Sequence, residues 1–397
     1  MRAGGATPRA GLAALLGLVA ACSGGSGQPT TTPAATDVTE ALAVEEGDAA
    51  RLTPAGESWI DPEVLRSGAV SLMTWQDSAG GVWVAEVDPD TGLLVEGSAS
   101  QVGDGAAPLR RTFNGPEFGV DETGWAVYYT RLVDGREQVA RVEPDGTPEI
   151  LTSGEAHFSS QATTQRSSSS TRLVMLRRPP EWGTALWIDV AEPGSEHELA
   201  HFDERTDGDA RWAVGTNTFV TNAHPDRPGQ LSLVDTDTGA VVAVSDDPGT
   251  KTTPYAWEAP EGDGGLFVLA IVDGTELVVW GEDANGHWRQ RATMSSPDGA
   301  HPYLGSPEPF VAGGRSYVSL AAADTPIGSP ARGSQQVWIV GIDPEAPFAR
   351  RCDDGSPEPV FRGDPEVLLG ADQAFVYYNV FGPDGVDVYR CATAIKP

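Results

Sequence analysis

The 397-residue chain has few basic residues. Lysine and arginine together number 26 against 57 acidic residues, and the formal net charge is −31. Residues 1–21 contain two arginines and no acid, so the chain beyond them carries −33. A surface of this kind lacks the Lys/Arg clusters that bind phosphate backbones or anionic lipid headgroups. We therefore expect neither a nucleic-acid partner nor electrostatic adsorption to a membrane.

The N-terminal apolar run is too short to cross a bilayer. It covers Gly11–Ala21, eleven residues, whereas a spanning helix needs about 20. Arg2 and Arg9 precede it and supply the positive charge with which a secretory signal peptide begins. We therefore interpret residues 1–21 as a signal peptide.

This signal ends in the sequence Val19-Ala20-Ala21-Cys22. The sequence resembles the lipobox of bacterial lipoproteins, in which the cysteine thiol receives a diacylglycerol and the signal is cut just before it. The resemblance implies lipid on Cys22 and an exported protein anchored to the cell envelope, on its periplasmic or extracellular face. An ordinary signal peptide cut after Ala20 or Ala21, with Cys22 unmodified, is the alternative.

Residues 22–56 are assigned to the lipidated cysteine and a flexible tether. From about Ser23 to Asp48 the chain is rich in Ser, Gly, Thr, Pro and Ala and contains no aromatic residue. Such a stretch has too little apolar surface to build a core.

Cysteine is scarce, with 3 residues in the whole chain. An odd number leaves one thiol unpaired in an oxidising compartment. If Cys22 carries lipid, Cys352 and Cys391 remain as one candidate disulfide, which would staple the C-terminal end to its neighbour. Two separate buried thiols are the alternative.

Beyond the tether the chain shows no long helical period. Short runs rich in Val, Tyr, Trp, Leu and Phe recur instead in seven pairs, separated by Gly, Pro and Asp. The second runs begin near Val82, Val139, Ala185, Leu231, Leu277, Val337 and Val386, at spacings of 57, 46, 46, 46, 60 and 49. A period near 46 built from strands alone is typical of propeller blades and is similar to that of WD-type repeats.

The repeat predicts an all-β fold, a β-propeller of seven blades, each a four-stranded antiparallel sheet, over residues 57–397. Packing small sheets face to face around an axis buries both of their apolar faces. The last blade is one strand short, and Glu40–Pro54 is available to complete it. A six-bladed ring with one pair outside it is the alternative.

A second recurrent element lies ahead of the second strand of a blade. The run NGPEFGVDETGWAVYYTR (Asn114–Arg131) resembles the Pro-x-Phe, Asp-Gly, apolar-strand pattern of TolB-type periplasmic propellers. Looser copies begin at Asp61, Ser306 and Asp364, and a Ser-rich run at 157–171 departs from the pattern. The resemblance covers most of residues 57–397. It implies the architecture and no particular ligand.

Motifs for catalysis or metal binding are absent from the sequence. His197 and His201 are four apart but have no third ligand nearby. Asp88–Gly92 and Asp235–Gly239 lack the remaining ligands of a calcium loop and predict hairpin turns. No Gly-x-Ser-x-Gly elbow in the core, Gly-rich phosphate loop or Cys-x-x-Cys occurs. Acidic residues are so abundant that no catalytic pair is preferred.

These observations predict a binding or scaffold module of the cell envelope, with recognition at the mouth of the central channel by analogy of fold. The alternative is an envelope hydrolase or lyase acting on a saccharide or peptide through acidic residues at the axis. Acids and a histidine converging there would favour it. A purely structural partner of an envelope complex is a third hypothesis. We expect a monomer without cofactor or metal, with a membrane contact through lipid on Cys22 and an envelope protein or saccharide as ligand.

Overall fold

The computed structural model describes most of the chain from Val44 onward, within a compact unit spanning 35–397. The described ranges are 44–46, 48–108, 115–121, 124–154, 156–163, 171–178, 184–192, 194–201, 210–213, 217–224, 227–261, 265–329, 333–343, 346–352, 354–356 and 358–397. Residues 1–21, interpreted above as a signal peptide, and Cys22 lie outside them. No helix in this part is long and apolar enough to cross a bilayer.

Every regular element of the described ranges is a β-strand. The N-terminal strands are β1 (Val44–Glu46) and β2 (Asp48–Arg51). Blade 1 consists of β3 (Trp59–Ser67), β4 (Val70–Asp77), β5 (Val82–Glu86) and β6 (Ser100–Gly103). Blade 2 consists of β7 (Glu117–Asp121), β8 (Gly124–Val133), β9 (Arg136–Val142) and β10 (Glu149–Ile150).

Blades 3 to 5 follow the same order. Blade 3 consists of β11 (His157–Thr163), β12 (Arg172–Arg178), β13 (Thr184–Asp189) and β14 (His197–His201). Blade 4 consists of β15 (Ala210–Trp212), β16 (Thr218–His224), β17 (Arg227–Asp235) and β18 (Val241–Ala243). Blade 5 consists of β19 (Lys251–Ala259), β20 (Gly265–Val272), β21 (Glu276–Glu282) and β22 (Trp288–Ser295).

The last two blades include the N-terminal strands. Blade 6 consists of β23 (Tyr303–Ala312), β24 (Arg315–Ala323), β25 (Gln335–Gly341) and β26 (Ala349–Cys352), with β1 as a fifth strand parallel to β26. Blade 7 consists of β27 (Phe361–Leu369), β28 (Ala374–Gly382) and β29 (Gly385–Ala392), with β2 antiparallel to β29. The prediction of seven four-stranded antiparallel blades is confirmed.

The N-terminal segment closes the ring. The expectation that a strand from Glu40–Pro54 completes the last blade is confirmed by the pairing of β2 with β29. The range 22–56, assigned to the tether, therefore contains two strands of the propeller. The predicted disulfide is also present, since Cys352 on β26 is bonded to Cys391 on β29.

The core is divided among the seven interfaces between neighbouring blades, and each holds its own cluster of buried apolar side chains. Between blades 7 and 1, the rings of Trp59 and Trp75 stack at 4.4 Å. In the same interface, the Tyr377 hydroxyl donates to the Gly92 carbonyl at 2.8 Å. This arrangement follows from the repeat, because each blade has two apolar faces to bury.

The acidic hairpins are turns, as the sequence predicts. Asp88 Oδ1 accepts hydrogen bonds from the N–H groups of Asp90 (2.8 Å) and Thr91 (3.1 Å). Asp235 accepts the equivalent pair in blade 4. Gly92 takes a φ of 68°, which suits glycine. The carboxylates therefore hold the turn backbone.

Candidate functional site

The first strand of each blade lines the central axis. These strands contact one another in a closed ring, in the order β3, β7, β11, β15, β19, β23, β27 and back to β3. Side chains that leave the sheet toward this ring enter a shared channel. The chemistry of the channel is therefore decided by a few positions on seven short strands.

Four of these strands carry a bulge at an X-Pro dipeptide. The ladder register shifts within β3, β19, β23 and β27 at this point. The residue before proline takes a positive φ in each case: Asp61 (58°), Thr253 (47°), Ser306 (43°) and Asp364 (58°). Proline cannot donate to a ladder, so an irregular position on an edge-like strand is where a sheet tolerates it. A bulge also redirects the side chain that follows it.

The residue after proline is acidic or aromatic. It is Glu63 in blade 1, Glu308 in blade 6, Glu366 in blade 7 and Tyr255 in blade 5. Glu117 of blade 2 follows Gly115-Pro116 in the same way, and Arg211 of blade 4 lies on β15. We call Arg211, Tyr255, Glu308, Glu366, Glu63 and Glu117 the axial cluster. They come from six consecutive blades, in that order around the ring.

The four glutamates act on one another electrostatically across the channel. Glu308 and Glu117 belong to blades 6 and 2, yet the charge of Glu117 raises the pKa of Glu308. Burial, with smaller contributions from neighbouring acids, raises the pKa of Glu308 to about 8. Burial and the neighbouring carboxylates also hold the pKa of Glu63 and of Glu366 well above the usual range. These carboxyls therefore keep protons at a pH where free glutamate has lost them.

Tyr255 links the acidic side of the cluster to Arg211. Its hydroxyl donates to Glu308 Oε1 and accepts from Arg211 Nε at 3.1 Å. The Arg211 guanidinium carbon lies 5.5 Å from the centre of the Tyr255 ring. Burial, partly offset by the Arg211 charge, holds the pKa of Tyr255 well above its usual value, so the phenol is neutral.

A carboxyl pair lies beside the glutamates, where blades 7 and 1 meet. Asp61 and Asp364, the residues before proline, hydrogen-bond to each other. The Asp61 N–H donates to Asn379 Oδ1 at 3.3 Å, and Asn379 Nδ2 donates to Asp364 Oδ2 at 3.5 Å. Burial and the Asp364 charge raise the pKa of Asp61 well above its usual value. Asp61 therefore holds a proton that it can donate to the Asp364 carboxylate.

Asp61 also reaches the next blade. Its Oδ2 accepts a hydrogen bond from the backbone N–H of Gly115. A Cβ added to Gly115 would overlap the Asp61 carboxyl. Glycine at 115 is therefore what lets this side chain join blade 1 to blade 2 beside the channel.

The residues singled out from the sequence lie elsewhere. Cys352 and Cys391 form the disulfide, while Cys22 is outside the described residues. His197 and His201 lie on β14, where the His197 ring stacks on Trp187 at 4.2 Å. Within the described ranges, no group of three or more His, Cys, Asp or Glu side chains is placed to hold a metal ion.

The axial glutamates were not identified from the sequence. Their signal was a repeated X-Pro-Glu inside the very copies that indicated the architecture, beginning at Asp61, Gly115, Ser306 and Asp364. The condition set for the enzyme hypothesis was convergence of acids and a histidine at the axis. The acids converge, whereas the axial cluster defined above contains tyrosine and arginine in place of histidine.

Comparison with known proteins shows the fold alone. No family model matches the chain, and no curated protein matches it. The β-propeller domain of Cps50 (Swd1) from Myceliophteria thermophila is similar over 84% of this chain and 99% of its own, with 10% identity and a TM-score of 0.50. A putative TolB from Agrobacterium tumefaciens matches 60% of this chain and 82% of its own, with 15% identity and a TM-score of 0.38.

Trypanosoma rangeli sialidase in complex with sialic acid is a further match, over 91% of this chain and 59% of the longer sialidase chain. Its identity is 12% and its TM-score 0.40. At such identities the likeness defines a class, the β-propeller proteins. It carries no activity to this chain.

Proposed function

We propose that this protein is a lipid-anchored binding module of the bacterial cell envelope whose ligand enters the axial channel. The envelope part rests on the signal-like residues 1–21 and the lipobox-like Cys22. The Cys352–Cys391 disulfide supports it, because structural disulfides persist in exported proteins rather than in a reducing cytoplasm.

The ligand we propose carries a protonated amine. One observation carries this proposal: glutamates from four consecutive blades converge, and burial together with the neighbouring charges raises the pKa of Glu63, Glu308 and Glu366. A cation placed among them favours the ionised carboxylates and is attracted by them, so its binding is coupled to the release of their protons. Within the described residues, no three of these carboxyls are placed to hold a metal ion, and we therefore propose an organic cation. An amino sugar or a basic peptide end meets this requirement.

Calorimetric titration tests the proposal, with the mature chain carrying Cys22→Ser so that it stays in solution. A glucosamine trimer is the probe, and an N-acetylglucosamine trimer is the matched neutral control. We expect the charged trimer to bind at least about tenfold more tightly near pH 6, where its amines are protonated, because these ammonium groups favour ionisation of the surrounding carboxyls and are then attracted by them. The double variant Glu63→Gln, Glu366→Gln should lose this preference.

The control variant is Glu149→Gln with Glu276→Gln, since both side chains are exposed and lie outside the channel. It should bind as the parent chain does. Equal affinity for the charged and neutral trimers would contradict the amine proposal. Calcium binding that depends on Glu63 and Glu366, without trimer binding, would replace the organic cation by a metal.

Hydrolysis is a second candidate, and a specific contact favours it. The Tyr255–Glu308 hydrogen bond and the hydrogen bond between Asp61 and Asp364 place proton donors and acceptors in one channel. Mass spectrometry of the trimer recovered after the titration tests for hydrolysis. Shortened products that disappear in Glu308→Gln would assign hydrolysis, and intact trimer would leave binding as the function.

A further inference from the structure

The N-terminal strands cross the boundary between blades 6 and 7. We call β1 and β2 the strap, and the boundary between these two blades the seam. Glu46 of β1 is paired with Arg351 on β26, and two residues after Glu46, β2 begins at Asp48 and pairs with β29. The strap therefore joins the outer strand of blade 6 to the third strand of blade 7.

The disulfide crosses the seam at the same place. Cys352 follows Arg351, the partner of Glu46, and Cys391 is the register partner of Ala49. The two cysteine Cα atoms are 5.7 Å apart. Strap and disulfide therefore connect the same two strands at the same level.

The disulfide is buried, and the strap pairs with the two strands that carry it. Cys352 is 1% exposed and Cys391 is 0% exposed. The strap pairs with the edges of β26 and β29, which would otherwise present open backbone groups. A reductant can therefore reach the sulfur atoms only after the structure around them opens.

Further contacts fasten both parts. The Arg350 guanidinium donates to the Thr393 carbonyl across the seam, and Arg390 Nη1 donates to the Asp48 carbonyl at 3.4 Å. Arg51 forms an ion pair with Asp387 at 2.7 Å. Two of these three contacts bind the strap, and the third joins the blades without it.

We infer that the strap and the Cys352–Cys391 disulfide form a two-part lock on the seam. The strap shields the disulfide from reductants, and the disulfide holds the blades together when the strap detaches. Under the proposed anchoring at Cys22, tension on the N-terminus acts on the strap first, and the ring stays closed behind it. The lock itself does not depend on the ligand proposed for the channel.

A proline in the strap tests the shielding. Leu52 N–H donates to the Val388 carbonyl at 2.8 Å. Hydrogen-bonded pairs alternate along an antiparallel ladder, so Ala50 is also at a hydrogen-bonding position. Ala50→Pro removes that bond and loosens β2. Ala55→Pro is the matched control, because Ala55 is exposed in a turn closed by Glu57 N–H to the Pro54 carbonyl.

The readout is the rate at which dithiothreitol reduces the disulfide in the full chain, followed by alkylation and mass spectrometry. We expect Ala50→Pro to be reduced at least about tenfold faster than the parent, and Ala55→Pro within about twofold of it. Reduction of Ala50→Pro at the parental rate would overturn the shielding. Failure of oxidised Ala50→Pro to fold would overturn the holding role of the disulfide.

A double-mutant cycle tests the coupling. The melting temperature is measured for Ala50→Pro with the disulfide intact and in a background of Cys352→Ala with Cys391→Ala. We expect the drop in melting temperature caused by Ala50→Pro to be at least about twice as large without the disulfide. In that background nothing covalent holds blades 6 and 7 together once the strap is loosened. Equal drops in the two backgrounds would show that strap and disulfide act independently. Neither measurement involves an amine, so their failure leaves the proposed function standing.

Discussion

Glu308 shows how a single residue acquires its chemistry from the ring. Burial, with the charges of carboxyls from other blades, raises the pKa of Glu308 to about 8, although the hydrogen bond that it accepts from Tyr255 lowers this pKa. Free glutamate titrates near 4.5. Neither the dipeptide Pro307-Glu308 nor its immediate sequence contains the cause, since the charges that act on it come from distant strands.

The raised pKa of Glu308 predicts a pH-dependent stability. A carboxyl that holds its proton more tightly in the folded chain stabilises it below its ordinary pKa, and this contribution is lost as the pH rises through about 8. Glu308→Gln keeps an acceptor for Tyr255 and cannot ionise. Near pH 9 we expect its free energy of unfolding to exceed that of the parent by about 1 kcal/mol, after allowance for partial solvent exposure. Near pH 5 we expect the two free energies to be equal.

Thermal melts across this pH range check the prediction, with Glu276→Gln as the exposed control on β21. Parallel pH profiles for Glu308→Gln and the parent would show that Glu308 ionises normally.

At the scale of the element, the first strand of a blade differs from the second and third. The second and third strands are continuous apolar runs such as Val337–Val340, buried on both faces. Their pattern is the one by which strands are found in sequences. The first strands are interrupted by proline and acidic residues, as in Asp61-Pro62-Glu63, because one side of them faces the channel.

A substitution at Gly115 tests how closely Asp61 of blade 1 packs against blade 2. Gly115→Ala places a methyl group against the Asp61 carboxyl, which accepts from the Gly115 N–H. We expect a loss of about 1–3 kcal/mol in the free energy of unfolding, the range found for overpacking at a close contact. Gly299→Ala is the control, since an added Cβ there meets nothing within 4 Å.

Chemical denaturation of the two variants and the parent measures the difference. A loss for Gly115→Ala no larger than that for Gly299→Ala would show that the contact between Asp61 and blade 2 is loose. A larger loss of unfolding free energy, together with a Glu63 pKa unchanged from the parent, would show that Asp61 joins the blades without setting the chemistry of the channel.

At the scale of the whole molecule, the formal charge of −31 repels itself over the surface while seven apolar interfaces hold the ring. Salt screens such repulsion, because the Debye length falls to about 3 Å at about 1 M. At the seam between blades 6 and 7, the strap pairs with β26 and β29, and the disulfide joins these two strands covalently.

The charge predicts that sodium chloride stabilises the fold. We expect the melting temperature near pH 8 to rise by several degrees between about 0.02 M and about 0.5 M salt, since the folded chain concentrates its charge more than the unfolded one. The rise should shrink near pH 5, where the axial carboxyls are protonated and other acids begin to be. Differential scanning calorimetry measures both. A melting temperature independent of salt at both pH values would contradict the prediction.

The sequence was enough for the architecture and insufficient for the site. The spacing of apolar runs predicts seven blades, Glu40–Pro54 contains the closing strand, and Cys352 and Cys391 are the candidate pair once Cys22 is set aside. These features depend on the spacing of apolar runs along the chain and on the number of cysteines. The axial cluster depends on which acids share a channel, and local pattern does not record that.

The Pro-Glu dipeptides show why local sequence does not identify the axial residues. Glu149 of Pro148-Glu149 is the first residue of the outer strand β10 and is exposed, and Pro260-Glu261 follows β19. Pro62-Glu63 and Pro365-Glu366 lie at bulges of first strands and meet at the axis. The sequence by itself predicted a ring of strand-only blades, their order along the chain and a strand available to close it, because each small sheet has two apolar faces to bury. Only the tertiary structure decided which carboxyls meet, because that depends on strands that are distant in the chain and adjacent around the ring.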